Sequence, residues 1–563
     1  MNGLLTIIVG LVLGILANNV VLSDEFHHPT NYRVKRNALP TEDGMETASF
    51  WLQDAQKDLK EKLKFNLNKE KAKNIIFFLG DGMSIDTVSA GRIFSGQLEG
   101  KLGERSKLSF EKFPIVGLSK TFCVDRQVAD SACTSTAYLC GIKANYATIG
   151  VTANVTLNDC QAGQDPANQV ESIAGWAQRA KKATGFVTTT TVTNASPAGL
   201  FAHVGHRDYE SDFQVMQQNQ DPHNCRDIAD QLVNDDVGKK FNVILGGGTR
   251  RFLPNGTLDF NGNSGERLDG RNLIKEWLET KKGSAKTVFD RDQLLSVDYD
   301  RTDYLLGLFS PNEMAYKTDA NSTKDPSLEE MTEAAIKMLE SNKNGYFLFV
   351  EGARIDHGHH QNLAHKALME TVELSKAVQK AVDITDAADT LIVVSSDHGH
   401  TMTISGYPTI GNNILGLNTE PSDVDGLPYT TLSYANGPSY NQHFNNKKTR
   451  LDLREVDVSD DVLSDSFEAN HFNISSFNLF PTHQHIKNKK TRLDLSKVDV
   501  LNKEYKYAST VPQVDETHGG GDVAVFANGP WAHLFSGVVE QNILPHIMAY
   551  AACIGDGLTM CQE

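Results

Sequence analysis

Ile75-Ile76-Phe77-Phe78-Leu79-Gly80-Asp81-Gly82-Met83 is the stretch that decides the fold. Its apolar run is too short for an ordinary helix and is made of β-branched and aromatic side chains. Such a run reads as a strand buried on both faces. It stops at Gly-Asp-Gly, where the backbone can turn tightly and a carboxylate is left at the strand's carboxyl end. Gly185–Val187, Val243–Leu245, Tyr346–Val350, Leu391–Val394 and Val523–Phe526 repeat the pattern. Helical spacing shows in Ala334–Leu339 and Leu363–Val382. This alternation predicts an α/β fold: a doubly wound, mostly parallel sheet with helices on both faces.

Open α/β sheets bind ligands at the carboxyl ends of their strands. Here those ends carry Asp81, then Glu351 with Asp356, His357, His359 and His360, then Asp397-His398-Gly399-His400, and His518 just before the Val523 run. A single histidine at such a place reads as a satisfied core or surface residue. Four strand ends carrying Asp, Glu or His read as a metal centre. Imidazole with carboxylate suits zinc, whereas carboxylate with hydroxyl and water suits magnesium. Asp356 and His360 stand four apart, so one helical turn places both on one face. Asp130-Ser131-Ala132-Cys133-Thr134-Ser135-Thr136-Ala137-Tyr138 adds a nucleophile. Ser131 would open a helix of small residues, whose free N–H groups favour an incoming phosphate. Without the metal ligands the same stretch would be an ordinary helix cap.

The 563 residues carry 54 Lys+Arg against 71 Asp+Glu, a formal charge of −17, which argues against a nucleic-acid partner. With 40 % hydrophobic and 22 % charged residues, wholesale disorder and a polytopic membrane protein are excluded. Leu4–Ala17 matches the apolar core of a secretory signal peptide (1–22), the alternative being an N-terminal anchor or buried helix. Residues 23–47 follow as an N-terminal segment, in which Arg33-Val34-Lys35-Arg36 is a processing site or a solvated basic stretch. The polar end Met560–Glu563 carries no GPI signal, so the expected product is secreted and without a visible membrane anchor. Seven cysteines, an odd number and without a CxxC, leave at least one free thiol if the rest pair. Asn154, Asn255, Asn321 and Asn473 head glycosylation sequons.

Two segments depart from the α/β alternation. Trp51, Leu52, Ala55, Leu59 and Leu63 form an apolar helical stripe ahead of the first strand, packing on its own domain or on a partner subunit. Later, Asn446–Leu453 recurs letter for letter at Asn488–Leu495, and the likeness continues to Val458 and Val500. Two copies are too few for a solenoid, leaving a local duplication or two alternative exons both retained. The segment is polar and is expected on the surface, outside the sheet. His471, His483 and His485 within it read as solvated rather than as a metal cluster.

Taken together, LGDGM (79–83), DSACTSTAYLCG (130–141), NASPAG (194–199), EGARIDHGHH (351–360), DHGH (397–400) and DETHGG (515–520) closely resemble the alkaline phosphatase family, in the style of its insect members. The resemblance runs from about Trp51 to Cys561. It implies a metal-dependent phosphomonoester hydrolase working through a phosphoserine at alkaline pH, releasing an alcohol and inorganic phosphate. Ser131 would be the nucleophile and Arg207 the phosphate clamp. Asp81, Asp397 and His398 would hold one zinc, Asp356, His360 and His518 the other, and Asp81, Ser196 and Glu351 a magnesium. That makes two zinc ions and one magnesium ion per subunit. The filled site would then carry net positive charge, and the emptied one net negative charge that repels a phosphate dianion.

The resemblance also implies a homodimer. Residues 48–70 would form an arm, 48–405 with 515–563 the catalytic domain, and 406–514 a crown-like insertion that contains the duplication. Tyr407 matches a tyrosine donated across the subunit interface. Family pairing joins Cys160 to Cys225 and Cys553 to Cys561, leaving Cys123, Cys133 and Cys140 free, with Cys133 a small buried filler. Asn194 stands where relatives carry His or Asp near magnesium, and Ser310 where vertebrate members place a calcium-binding carboxylate. Asp325 is retained, but the change at Ser310 puts a calcium site in doubt. Among rivals, a sulfatase would need a C/S-x-P-x-R motif, which is absent. A related phosphodiesterase would use a threonine nucleophile, and a non-enzymatic surface glycoprotein would have lost a principal ligand.

Overall fold

The computed structural model describes residues 47–444 and 492–562. The expected leader, the basic cluster, Asn473, the first copy of the duplication and His471, His483 and His485 lie outside the described residues. Two compact units divide the chain at Lys60 and Glu61. The apolar stripe forms a helix as far as Leu59, Ala48–Lys62, none of whose residues is buried, and Leu63 follows in a turn.

In chain order the strands begin with β1 (Asn74–Gly80), β2 (Ile115–Lys120), β3 (Ala183–Thr191), β4 (Val243–Gly247), β5 (Ala285–Val288), β6 (Tyr304–Leu308), β7 (Tyr346–Gly352) and β8 (Thr390–Ser395). They continue with β9 (Gly399–His400), β10 (Met402–Ile404), β11 (Leu432–Gly437), β12 (Ser509–Pro512), β13 (His518–Gly519), β14 (Val523–Asn528) and β15 (Gly537–Glu540). Ten of them build one sheet in the order β15-β2-β14-β8-β1-β7-β3-β4-β6-β5. The pairings β8-β1-β7-β3-β4-β6-β5 are parallel throughout, whereas β14 is antiparallel to both β8 and β2.

Alternation along each strand fills two cores, one on each face of the sheet. Ile75, Phe77, Phe347, Phe349, Leu391 and Val393 enter one. Ile76, Phe78, Leu348, Val350, Ile392 and Val394 enter the other. These strands are therefore apolar at every position, which is why a short unbroken run marks them. β2, β5, β6 and β15 give no such signal in the sequence reading. β2 and β15 have partly exposed burial patterns near one edge, and β5 is the other edge strand.

Segment 406–514 supplies β11 and β12, which join β10 in a three-stranded sheet. Its Leu415, Leu432, Tyr434 and Tyr507 share a third apolar cluster with Phe94 and Leu368. From Arg492 onward, the described part of the second copy is less superficial than its polarity suggests. Arg492 bridges Phe444 and pairs twice with Asp425 at 2.8 and 2.6 Å, while Leu495 and Val500 are buried.

One pairing expected from the resemblance is overturned. Cys123 and Cys133 are not free: they form a disulfide with Cα atoms 5.8 Å apart, because the loop after Cys123 returns onto the first turn of helix Ser131–Cys140. Cys160–Cys225 and Cys553–Cys561 are paired as expected. Cys140 is the free cysteine, and burial pushes its thiol up to about 12, where it is inert.

Candidate metal centre and nucleophile

Register sets the site. Leu79 pairs with Glu351 on β7 and with Ser395 on β8, so Asp81, Glu351 and Asp397 emerge together from adjacent strands. Thr188 of β3 is opposite Glu351 and donates to its Oε2 at 2.6 Å. Because β14 runs the other way, its beginning lies at this same edge. That brings His518 in, and the short β13–β9 ladder then sets His518 opposite His400. Helix Arg354–His360 follows β7 directly and carries Asp356 and His360 on one face.

Asp356 Oδ1 lies 3.3 Å from His360 Nε2 and 3.3 Å from His518 Nε2, and the two nitrogens are 3.1 Å apart. His360 Nδ1 faces the Glu516 carbonyl, and His518 Nδ1 the Ala129 carbonyl at 2.7 Å. A carbonyl only accepts, so each Nδ1 carries the hydrogen, and the neutral form of each ring would turn a lone pair inward at Nε2. In that form two lone pairs and a carboxylate oxygen converge on one point. Ligand atoms about 2.0–2.1 Å from a tetrahedral zinc stand roughly 3.3 Å apart, so this triangle fits the ion.

Asp81, Asp397 and His398 form a second cluster beside Ser131. His398 Nε2 is 3.0 Å from Asp397 Oδ2 and 3.2 Å from Ser131 Oγ. Gly82 N–H and His398 N–H pin Asp397 Oδ1 at 2.9 and 2.8 Å. Ser131 Oγ and Ser196 Oγ lie 3.5 and 3.4 Å from Asp81 Oδ2. Asp81 Oδ1 and Glu351 Oε1 are buried without a hydrogen-bond partner, and Asp397 Oδ2 has only the His398 ring beside it. Orphaned buried carboxylate oxygens are costly, and cations would satisfy them. Gly82 has φ +71°, and a Cβ there would come within 2.5 Å of the His400 ring.

The electrostatics follow from this crowding. Burial, then the charges of Asp397, Asp356 and Glu351, raise the Asp81 pKa well above the ordinary carboxylate value. Burial lifts Glu351 to about 7. Burial acts the same way on Asp397 and Asp356, but neighbouring histidines win: His398 holds Asp397 at about 2, and His360 and His400 hold Asp356 well below normal. Burial lowers His360 and His398, which keeps them available as ligands. Ser131 is buried at the head of its helix, with Asp130 as the cap. Asp130 Oδ2 accepts from Arg207 Nη1 at 3.1 Å. Burial opposes the guanidinium charge, but Asp130 and Asp208 keep it firmly protonated.

The alkaline phosphatase family model matches residues 72–554. The chain belongs to the alkaline phosphatase family. It is 41 % identical over 550 residues to a membrane-bound alkaline phosphatase of Bombyx mori, covering 96 % of this chain and 92 % of that one. It is 44 % identical over 522 residues to the tissue-nonspecific alkaline phosphatase of Gallus gallus, covering 91 % of each. Among solved structures, a His 135 Glu mutant of TAB5 alkaline phosphatase, with Mg bound in its M3 site, superposes with a TM-score of 0.55. At 18 % identity over 87 % of this chain and all of that one, it shares the fold. Family membership makes phosphomonoester hydrolysis the reaction class.

Asp81, Ser131, Ser196, Glu351, Asp356, His360, Asp397, His398 and His518 fall in one neighbourhood of the alkaline phosphatase fold, and Arg207 joins it through Asp130. Others around them received no role from the sequence alone. His400 Nε2 contacts Asp356 Oδ1 at 2.6 Å and its Nδ1 contacts Glu516 Oε2. Burial opposes a charge on His400, but Glu516 and Asp356 raise its pKa to about 10. Both residues were visible in their motifs: His400 is two positions after His398, at the end of the short strand β9, and Glu516 is two before His518. Period-two spacing places such pairs on one side of an extended chain.

Proposed function

We propose that this chain hydrolyses phosphomonoesters through a phosphorylated Ser131. In this reading Asp81, Asp397 and His398 hold one zinc, Asp356, His360 and His518 hold the second, and Asp81, Ser196 and Glu351 hold magnesium. When bound, these ions supply Lewis-acid charge that acidifies the serine hydroxyl, steadies the leaving oxygen and activates water. Arg207 clamps two phosphoryl oxygens, and Asp130 fixes its plane for that bidentate grip. The start of helix Ser131–Cys140 adds N–H groups and a favourable dipole for the dianion. Ser131 Oγ attacks phosphorus and the alcohol departs on the opposite side. Water then cleaves the Ser131 ester and inorganic phosphate leaves.

The single observation that carries this reading is the triangle of Asp356 Oδ1, His360 Nε2 and His518 Nε2. Acid-quenching the enzyme with radiolabelled inorganic phosphate tests it. Label should appear on Ser131 and be absent from Ser131→Ala; an unlabelled, well-folded and metal-loaded chain would reject the phosphoserine route.

The chain is further proposed to be a secreted homodimer. Cystines, and exposed Asn154, Asn255 and Asn321, suit an oxidising compartment. No described helix is long and apolar enough to cross a membrane. Exposed Leu52, Leu59 and Tyr407 support a subunit contact, which light scattering of the secreted chain checks directly.

A further inference from the structure

We infer that the Cys123–Cys133 disulfide is a positioning element of the active site, a staple on the loop that seats Ser131, Arg207 and His518. The inference rests on the roles proposed above for those three residues. The bond joins the start of the loop to the first turn of the serine's helix, two residues beyond Ser131. Between the two sulfurs lie the groups that hold the site. The Ala129 carbonyl accepts from His518 Nδ1 at 2.7 Å. Asp130 Oδ2 accepts from Arg207 Nη1 at 3.1 Å. Asp130 Oδ1 accepts from the Cys133 and Ala147 N–H groups at 3.3 and 3.0 Å. Two consecutive loop residues thus seat a metal ligand, the phosphate clamp and the nucleophile, which come from distant parts of the chain.

The rest of the loop contributes little burial of its own. Val124–Val128 are exposed, tied by Val124 N–H to the Ala144 carbonyl at 3.0 Å and by the Tyr146 N–H to Asp125 Oδ1 at 2.8 Å. Segments with few buried contacts open locally at low free energy. A cross-link closing a short loop removes that freedom, and a small misplacement of reacting groups is expensive in rate. Both cysteines are only 2 % exposed, so the bond is shielded from solvent reductants and acts as a fixed strut. The other disulfides hold no contact of this kind with Ser131, Arg207 or His518 among the described residues.

The test compares Cys123→Ser/Cys133→Ser and the apolar pair Cys123→Val/Cys133→Ala with Cys553→Ser/Cys561→Ser, each in the zinc-loaded full chain. Readouts are the Kd of inorganic phosphate by calorimetry, the rate of zinc loss to a chelator, and kcat and KM. Removing the staple should weaken phosphate binding and speed zinc loss by roughly tenfold each, the scale of lost ligand support. The C-terminal pair should lower Tm with phosphate affinity unchanged. A staple-free protein with lowered Tm but unaltered phosphate affinity and zinc retention would overturn the inference. So would failure of both staple-free variants to fold, since the bond would then be holding the fold rather than the site. Phosphate binding and zinc retention are read without turnover, so an inactive wild type would count against the phosphoserine reading alone.

Discussion

The two kinds of proposed cation site at this sheet edge are built on opposite principles. Asp356, His360 and His518 are prepared in advance: each imidazole is locked by a backbone carbonyl, and in the neutral form their lone pairs converge. Asp81, Ser196 and Glu351 are not. Their carboxyl groups lie deep in the fold at raised pKa, with an oxygen on each lacking a partner. The histidine cluster should therefore capture its ion over a broad pH range, whereas the carboxylate–hydroxyl cluster must first lose protons.

The sharpest way to break this contrast is substitution. His518→Ala or Asp356→Ala should reduce kcat/KM by roughly 10³-fold or more, the scale of removing a main electrostatic stabiliser. Ser196→Ala should cost far less, about tenfold, and excess magnesium should recover part of it. Equal losses in steady-state assays would erase the distinction.

Supports rank next. Glu516→Gln weakens the hold on His400, which braces Asp356, and should lower zinc affinity by roughly 10- to 100-fold in a competitive chelator titration. Unchanged affinity would show that Asp356 needs no brace.

Acidity gives a smaller, sign-specific effect. Glu351 has a folded pKa of about 7 against an ordinary 4.5, so the metal-free folded state binds the extra proton. That contribution is fully present below pH ~4.5 and fades as pH rises through about 7. Measured against Glu351→Gln, which removes this group, metal-free wild type should lose relative stability between pH 5 and pH 8 in denaturant melts, and magnesium should restore it mainly above pH ~7. A wild type that gains stability relative to Glu351→Gln across this window would reverse the assigned sign.

Much of this edge is legible in the sequence because apolar strands terminate abruptly in Asp, Glu and His. The signals at Asp81, Glu351 and Asp397 need only strand period and parallel stacking. His518 depends on more: it precedes its strand and reaches the site only because β14 runs antiparallel, a fact of topology rather than local pattern. The Cys123–Cys133 bond is invisible to spacing because it depends on a loop returning to the helix start. His400 and Glu516 stand in plain view but look like duplicates of the proposed ligands; only their mutual contact and the His400–Asp356 contact suggest a bracing role.

The inserted segment offers the opposite lesson. Its repeat is conspicuous in sequence, yet Phe444 and Arg492 are bridged and Leu495 is buried in the described part of the second copy. Deleting residues 446–487 joins Asn445 to the second copy. It is the smallest expected effect, leaving kcat/KM within about twofold, as for a surface change remote from the site. A collapse of activity would tie the insert to the cation clusters.

The central claim is tested most directly by aryl phosphomonoester hydrolysis at alkaline pH by the full-length chain, before and after chelation and zinc/magnesium restoration. Activity should vanish on chelation and return with both metals, zinc supplying most of the recovery and magnesium the remainder. Turnover that survives complete metal removal, or a folded, metal-loaded chain without turnover, would contradict it.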